Sequence, residues 1–471
     1  MNRRKFFKKG SLLTLGSTIL HPFTGKANTI PFSIDNKSKK AKNIIIIVSD
    51  GMSIGTLNMA DLYLSRKTGK GSNWLQLYKD SRVNRALMDM ASASSMVTDS
   101  AAASSSWGGG VRISNGAINV SKSGEEHLPI WQKFKKAGKK AGCVTTVPIT
   151  HATPAGFCIN SKSRNAQEKI AEKYLEQKFD VMMGGGNKYF SSENRKDKKD
   201  MYKAFTKGGY EVVKTRDAMF SATNDKPILG VFHDEGLPYS IDRENNKELL
   251  QKVPTLAEMT QKAIEAMKDH PNGFVLQVEA GKVDWAAHGN DISGLIYDQV
   301  AHDKAIEVAM NFAEQNEETL VIITTDHGNA NPGVIYGGKA NENFDTIQKY
   351  KHTNDWVLNG LGKETSVAQI KERVAYANNF ELTNEEAKLL LSYYSNLQTE
   401  EGLYNPKHLP FKALAEIQKK HNSVGWISMH HSADYVELAM YGPGSSLLKP
   451  FIKNTDLHYL MLEAAEIENT F

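Results

Sequence analysis

The sequence predicts an α/β protein: a central, mostly parallel sheet with helices on both faces and a helical insertion over its active-site edge. Three observations predict it. Short β-branched runs recur at Ile44 to Val48, Phe274 to Val278 and Leu320 to Thr325. Each is followed at once or nearly so by an acid, Asp50, Glu279 and Asp326, and runs this continuous read as strands buried on both faces of a parallel sheet. After Gly338 the alternation of strand and helix lapses. Residues 339–422 are polar and mostly helical in pattern, and they read as an insertion rather than an independent domain.

The chain has 471 residues, 40% hydrophobic and 24% charged, an ordinary globular composition. Its net charge of +5 does not imply a nucleic-acid partner. Residues 1–26 carry Arg3, Arg4, Lys5, Lys8, Lys9 and Lys26 and no acid, so without them the balance is −1. The body has no basic field to steer it onto DNA. A basic start followed by the short apolar stretch Leu12 to Leu20 is export-signal architecture. Arg3-Arg4-Lys5-Phe6-Phe7-Lys8 resembles a twin-arginine signal, so 1–26 is expected to direct export to a periplasmic or secreted location. Residues 27–42 read as a polar linker and 43–471 as the folded domain. No stretch reaches the ~18 apolar residues of a membrane span. Cys143 and Cys158 are the two cysteines, and spacing alone leaves them bonded or free.

Asn43 to Ser49 is the first strand, stopping at Asp50-Gly51. Asp99-Ser100 followed by Ala101, Ala102 and Ala103 suits a closely packed helix start, where free backbone N–H groups favour an anion. Ser100 is a capping residue on that reading or a reactive hydroxyl. Ala141 to Val147 is another strand, leading to His151-Ala152-Thr153-Pro154, where an extended segment would point His151 and Thr153 the same way. Arg164 follows, at the start of a helical stretch. Gly184-Gly185-Gly186 closes a further strand and is structural, since no Lys-Ser/Thr follows as a P-loop requires. Thr255 to Lys268 reads as a helix capped by Thr255. Asp284 and His288 share a face if one helical turn holds them. Asp326-His327-Gly328 ends the third run; His430 and His431 stand just before the sheet resumes at Tyr435 to Gly444; and a final helix is expected from about Asp456 to Glu468. Asp and His gathered at one sheet edge suit zinc or another divalent cation.

These segments, in this order, resemble the alkaline phosphatase family. The matching pieces are Ser49 to Met52, Val97 to Ala102, His151 to Ala155 with Ser163-Arg164, Asp180 to Gly186, Gln277 to Glu279, Asp284 to His288, Thr325 to His327, and His431 before Tyr441-Gly442-Pro443. The resemblance implies a three-layer sandwich and a phosphate monoesterase with two zinc ions and one magnesium. Asp284, His288 and His431 would bind the first zinc; Asp326, His327 and one oxygen of Asp50 the second. The other oxygen of Asp50, with Thr153 and Glu279, would hold the third ion. Ser100 would be the nucleophile that carries a covalent phosphate, Arg164 the phosphate clamp, and Asp99 the residue that orients it. His430 competes with His431, and His431 is favoured by its distance to Tyr441. One branch of the family has Asp where this chain has His151 and Lys where it has Trp285. That difference beside the third site leaves its ion open between magnesium and zinc. The family also implies small phosphomonoester substrates and a homodimer. The rivals are a phosphodiesterase or nucleotide pyrophosphatase of the same superfamily, and a non-catalytic protein that binds metal or phosphate. A sulfatase would need a Cys-x-Pro-x-Arg run, which the sequence lacks.

Overall fold

The computed structural model describes residues 40–397, 399–400, 403–404 and 408–469. The expected export signal and all but the end of the linker lie outside them. A 10-stranded sheet forms the centre. Its strands are β1 (Asn43–Ser49), β2 (Asn84–Asp89), β3 (Lys140–Pro148), β4 (Val181–Gly185), β5 (Glu211–Val213), β6 (Ile228–Val231), β7 (Phe274–Ala280) and β8 (Thr319–Thr324). A short strand β9 (Gly328–Asn329) pairs outside the sheet with β10 (His431–Ser432), and β11 (Val436–Tyr441) and β12 (Phe451–Lys453) complete the sheet. The order is β12-β2-β11-β8-β1-β7-β3-β4-β6-β5. Only β11 runs against its neighbours, β2 and β8.

The three opening runs are the adjacent strands β8, β1 and β7, in register Ile46 to Gln277 and Ile46 to Ile322. Their side chains alternate between two cores. Ile45, Ile47, Leu276, Val278, Val321 and Ile323 face one; Ile44, Ile46, Val48, Val275, Leu320 and Ile322 face the other. Both faces being dry, the strands need apolar residues at nearly every position, which is why the runs are almost continuous, with the buried Gln277 of β7 as the exception.

On the first face lie α1 (Ile54–Thr68) and several later helices; on the second lie α2 (Ser100–Gly109) and α3 (Ala152–Cys158). Small residues let α2 and α3 approach closely: a Cβ on Gly156 would meet Ser104 Oγ at 2.2 Å. The first face continues with α4 (Leu256–Met267), α5 (Lys282–His288) and α6 (Ile292–Gln315). Thr255 caps α4 through a reciprocal bond with Glu258. The 339–422 region contains α7 (Val367–Asn378), α8 (Asn384–Ser392) and α9 (Phe411–Asn422), which enclose an apolar core of their own around Val357, Leu390 and Leu414. Asp242 ties this region to the main body, accepting from His352 Nδ1 at 2.8 Å and Thr353 Oγ1 at 2.6 Å.

Two local expectations are corrected. Helix α10 spans Asn454–Ala464 and stops short of Glu468, because Glu466 adopts a left-handed φ of 50° that ends the turn. The segment after β3 is not extended: Ile149 and Thr150 form a turn in which His151 N–H donates to Pro148 O at 2.8 Å, and α3 begins at Ala152 and contains Thr153 and Pro154. Proline is tolerated there because the first turn of a helix has no intrahelical acceptor for its N–H groups.

Candidate active site

Parallel strands bring Asp50, Glu279 and Asp326 to one carboxyl edge, where open α/β sheets place ligands. Beside them α5 holds Asp284 and His288 on one face, with His288 Nε2 3.4 Å from Asp284 Oδ2. β10 pairs with β9 and sets His431 Nε2 3.5 Å from Asp284 Oδ1 and 3.1 Å from His288 Nε2. The opposite ring nitrogens are both committed: His288 Nδ1 donates to Met429 O at 2.7 Å and His431 Nδ1 to Thr98 O at 2.9 Å. A carbonyl only accepts, so in a neutral ring Nδ1 keeps the proton and Nε2 aims its lone pair at the space beside Asp284; burial works against charge on His431, but without a metal Asp284 pushes it up to about 9. A metal cation would take the place of that proton, and outer carbonyls that fix the tautomer are the usual surroundings of metal-binding histidines. His430 is exposed and does not join this trio.

The second cluster is fully enclosed. His327 Nε2 lies 3.5 Å from Asp50 Oδ1 and 3.4 Å from Asp326 Oδ2, and both oxygens lack a hydrogen-bond donor. In the third, ligand atoms of Asp50, His151 and Glu279 lie within 4.8 Å of one another, and Thr153 Oγ1 donates to Asp50 Oδ2 at 3.4 Å. Glu279 Oε1 and His151 Nδ1 are buried without partners. His151 adjoins this cluster, but its Nε2 accepts from Arg164 Nη2 at 3.1 Å, so a neutral ring carries its proton on Nδ1 and has no lone pair left for an ion. Burial and the neighbouring carboxylates push Asp50 well above the usual carboxylate range. Burial pushes Glu279 and Asp326 up to about 7. Burial also works against charge on Asp284, but His288 and His431 hold its carboxyl well below its ordinary value. Buried carboxylates crowded this way, with lone pairs aimed at common points, fit divalent cations in chemistry and number of donors.

Ser100 is the first residue of α2, and its Oγ lies 3.3 Å from His327 Nε2. It is not the cap: Asp99 is, accepting from Ala102 N at 2.9 Å. The other oxygen of Asp99 takes Gly116 N–H and Arg164 Nη1, both at 3.0 Å. Arg164 sits in a turn ahead of the helix Gln167–Gln177, and its Nη2 donates to His151 Nε2 at 3.1 Å. Burial and the Arg164 charge push His151 down to about 3, so its ring stays neutral and can accept. Trp285 sits edge-on to His151 at 6.3 Å between centroids, with Lys282 Nζ 4.6 Å over its ring.

Three residues escaped the sequence reading. Thr145 donates to Glu279 Oε2, Asn329 Nδ2 donates to Asp284 Oδ1 at 2.7 Å, and the Gly51 N–H donates to Asp326 Oδ1 at 3.0 Å. Thr145 faces Glu279 across the β3–β7 register, a signal visible only once strand order is known. Cys143 and Cys158 are buried free thiols with sulfurs 3.6 Å apart.

A hydroxyl at a helix N-terminus, a planar cation held beside it, and three clusters of buried anionic and imidazole donors together define a metal-dependent phosphohydrolase. The family profile described as alkaline phosphatase matches residues 41–467. Alkaline phosphatase 4 of Bacillus subtilis (strain 168) is 32% identical over 424 residues, covering 88% of this chain and 87% of that one. The alkaline phosphatase of Escherichia coli (strain K12) is 33% identical over 345 residues, covering 64% of this chain and 73% of that one. The crystal structure of Thermus thermophilus alkaline phosphatase superposes with a TM-score of 0.84 at 33% identity, covering 92% of both chains. The chain belongs to the alkaline phosphatase family, and it is a phosphatase.

Proposed function

We propose that the protein hydrolyses phosphate monoesters in two displacements, with Ser100 as the nucleophile. Asp284, His288 and His431 would hold one zinc ion, and Asp326, His327 and one oxygen of Asp50 a second. The remaining oxygen of Asp50, with Thr153 and Glu279, would hold magnesium or a third zinc. When bound, such ions neutralise the attacking and leaving oxygens and make a hydroxyl or water nucleophilic near neutral pH.

Ser100 Oγ forms a bond to phosphorus as the ester P–O bond breaks, and the alcohol leaves on the side away from Ser100. Water then attacks the phosphoserine in line, releasing phosphate and restoring the hydroxyl. Arg164 grips two non-bridging oxygens through its planar fork. Asp99 and His151 hold that fork in place, and the N–H groups opening α2 add positive potential. Activity should fall in acid, because histidine ligands must be neutral. We read residues 1–26 as an export signal, the mature enzyme as periplasmic or secreted, and a homodimer as its assembly, on the sequence resemblance.

The observation that carries this reading is Ser100 Oγ placed 3.3 Å from His327 Nε2, at the rim of the clustered lone pairs. Ser100→Ala should lower turnover of an aryl phosphate by at least about 1,000-fold and abolish acid-trapped phosphoenzyme, with zinc content unchanged. Turnover at the parental rate would refute it. Faster hydrolysis of the methyl diester than of the monoester would instead assign the site to a phosphodiesterase.

A further inference from the structure

A cavity of about 860 Å³ opens beside the first cluster, at its end remote from Ser100. The rings line up outward from the serine. His327 touches Ser100, His431 stacks on His327 at 3.7 Å between centroids, and His288 follows at 4.9 Å. His288 is thus the last ring of the three, and it lines the cavity. Trp285, one turn earlier on α5, lies on the same wall. The insertion adds to the lining: Pro410, Phe411 and Ala413 at the start of α9, with Tyr393 after α8. Phe411 is 6% exposed and its ring packs against the end of α5, near enough that a Cβ on Gly289 would touch it at 3.4 Å.

Two carboxylates in this wall are already engaged. The oxygens of Asp291 accept from Ser293 Oγ, Gly294 N and Asp355 N, and Asn359 Nδ2 donates to Asp355 at 3.0 Å. What the cavity offers an occupant is apolar and aromatic surface, with the exposed Lys412 and His430 also lining it. Its size is that of a site for a small organic molecule.

We propose that this cavity receives the organic part of the substrate, and that it selects monoesters whose alcohol carries an aryl or arylalkyl group. The proposal rests on the monoester reading above. In an in-line displacement the leaving oxygen departs opposite Ser100 Oγ, toward the Asp284, His288 and His431 trio. The carbon chain attached to it then emerges beside His288, into the cavity. Specificity of this kind would come from the insertion, whereas the phosphoryl chemistry belongs to the sheet edge.

The test separates binding from turnover. Affinities of 3-phenylpropylphosphonate and ethylphosphonate, whose C–P bonds are not hydrolysed, are measured by calorimetry on the full-length protein loaded with zinc and magnesium. The arylalkyl compound should bind about tenfold more tightly, the scale set by burying one apolar group in a fitted pocket. Phe411→Ala removes a wall and Ala413→Trp fills the space, and each should reduce that ratio to within about twofold. Equal affinities in the parental protein, or an undiminished ratio in both variants, would overturn the proposal. Ethyl phosphate hydrolysis by the parental protein runs alongside. An arylalkyl advantage without any hydrolysis would discard the phosphatase mechanism and keep the cavity assignment.

Discussion

Gly51 sits where one methyl group has no room. Its φ is 68°, and a Cβ would lie 2.5 Å from Asp284 Oδ1 and 2.9 Å from Asp284 Cα. Gly51→Ala should therefore cost about 2 kcal/mol of stability through backbone strain and displace Asp284 from its trio. Urea unfolding and metal analysis check this together, with zinc falling by about one equivalent in the variant. Arg164 makes a different demand, for shape. Its two terminal nitrogens are spoken for by Asp99 and His151 at 3.0 and 3.1 Å, which leaves the planar fork fixed in orientation. Arg164→Lys keeps the charge and loses the fork. It should lower kcat/KM for monoesters about 100-fold, weaken inhibition by inorganic phosphate, and leave the zinc content intact.

At the scale of the element, α6 contains a buried histidine far from any chemistry. His302 lies against the Trp74 ring at 5.7 Å and Gln299 Nε2 at 3.3 Å, and burial pushes it down to about 3. Its folded value lies below the ordinary 6.5, so between those limits the unfolded chain binds the extra proton and stability falls as the pH falls. The slope approaches about 1.4 kcal/mol per pH unit for one such group. Urea midpoints from pH 6.5 to 4.5 should show a shallower decline in His302→Gln than in the parental protein. Legibility also divides by element. The strands β1, β7 and β8 were readable because both faces are dry, and the Asp284–His288 pair because four residues make one helical turn. Thr153 was placed on an extended segment because Pro154 reads as a helix breaker, when it is a first-turn residue of α3. Thr145 and Asn329 stayed invisible, since each acts across a pairing that no local pattern encodes. His431 was chosen over His430 by its distance to Tyr441; the β9–β10 pairing, which is non-local, is what sets His431 beside Asp284 while His430 stays exposed.

For the whole molecule, the site is a store of unbalanced negative charge at the sheet edge, and ion binding should stabilise the fold as well as enable chemistry. Chelation should abolish activity and lower the melting temperature by several degrees, with zinc and magnesium restoring both; each 1,000-fold excess over a dissociation constant stabilises by about 4 kcal/mol. The metal-free protein should also respond to pH in a particular sense. Glu279 and Asp326 titrate near 7 when folded, against 4.5 and 3.8 ordinarily, so the folded state holds extra protons in that window. Its stability from these groups is present at low pH and lost as pH rises through 7, so the chelated protein should melt higher at pH 6 than at pH 8. Among the described residues no helix is long and apolar enough to cross a membrane. The pairing of His431 with Asn329 has one last consequence, in time. The trio is completed by residue 431 of 471, while its other two members lie near the middle of the chain. During synthesis Asp284 and His288 should therefore wait for their third partner until residue 431 has left the ribosome, and a chain truncated before it should bind one zinc ion fewer.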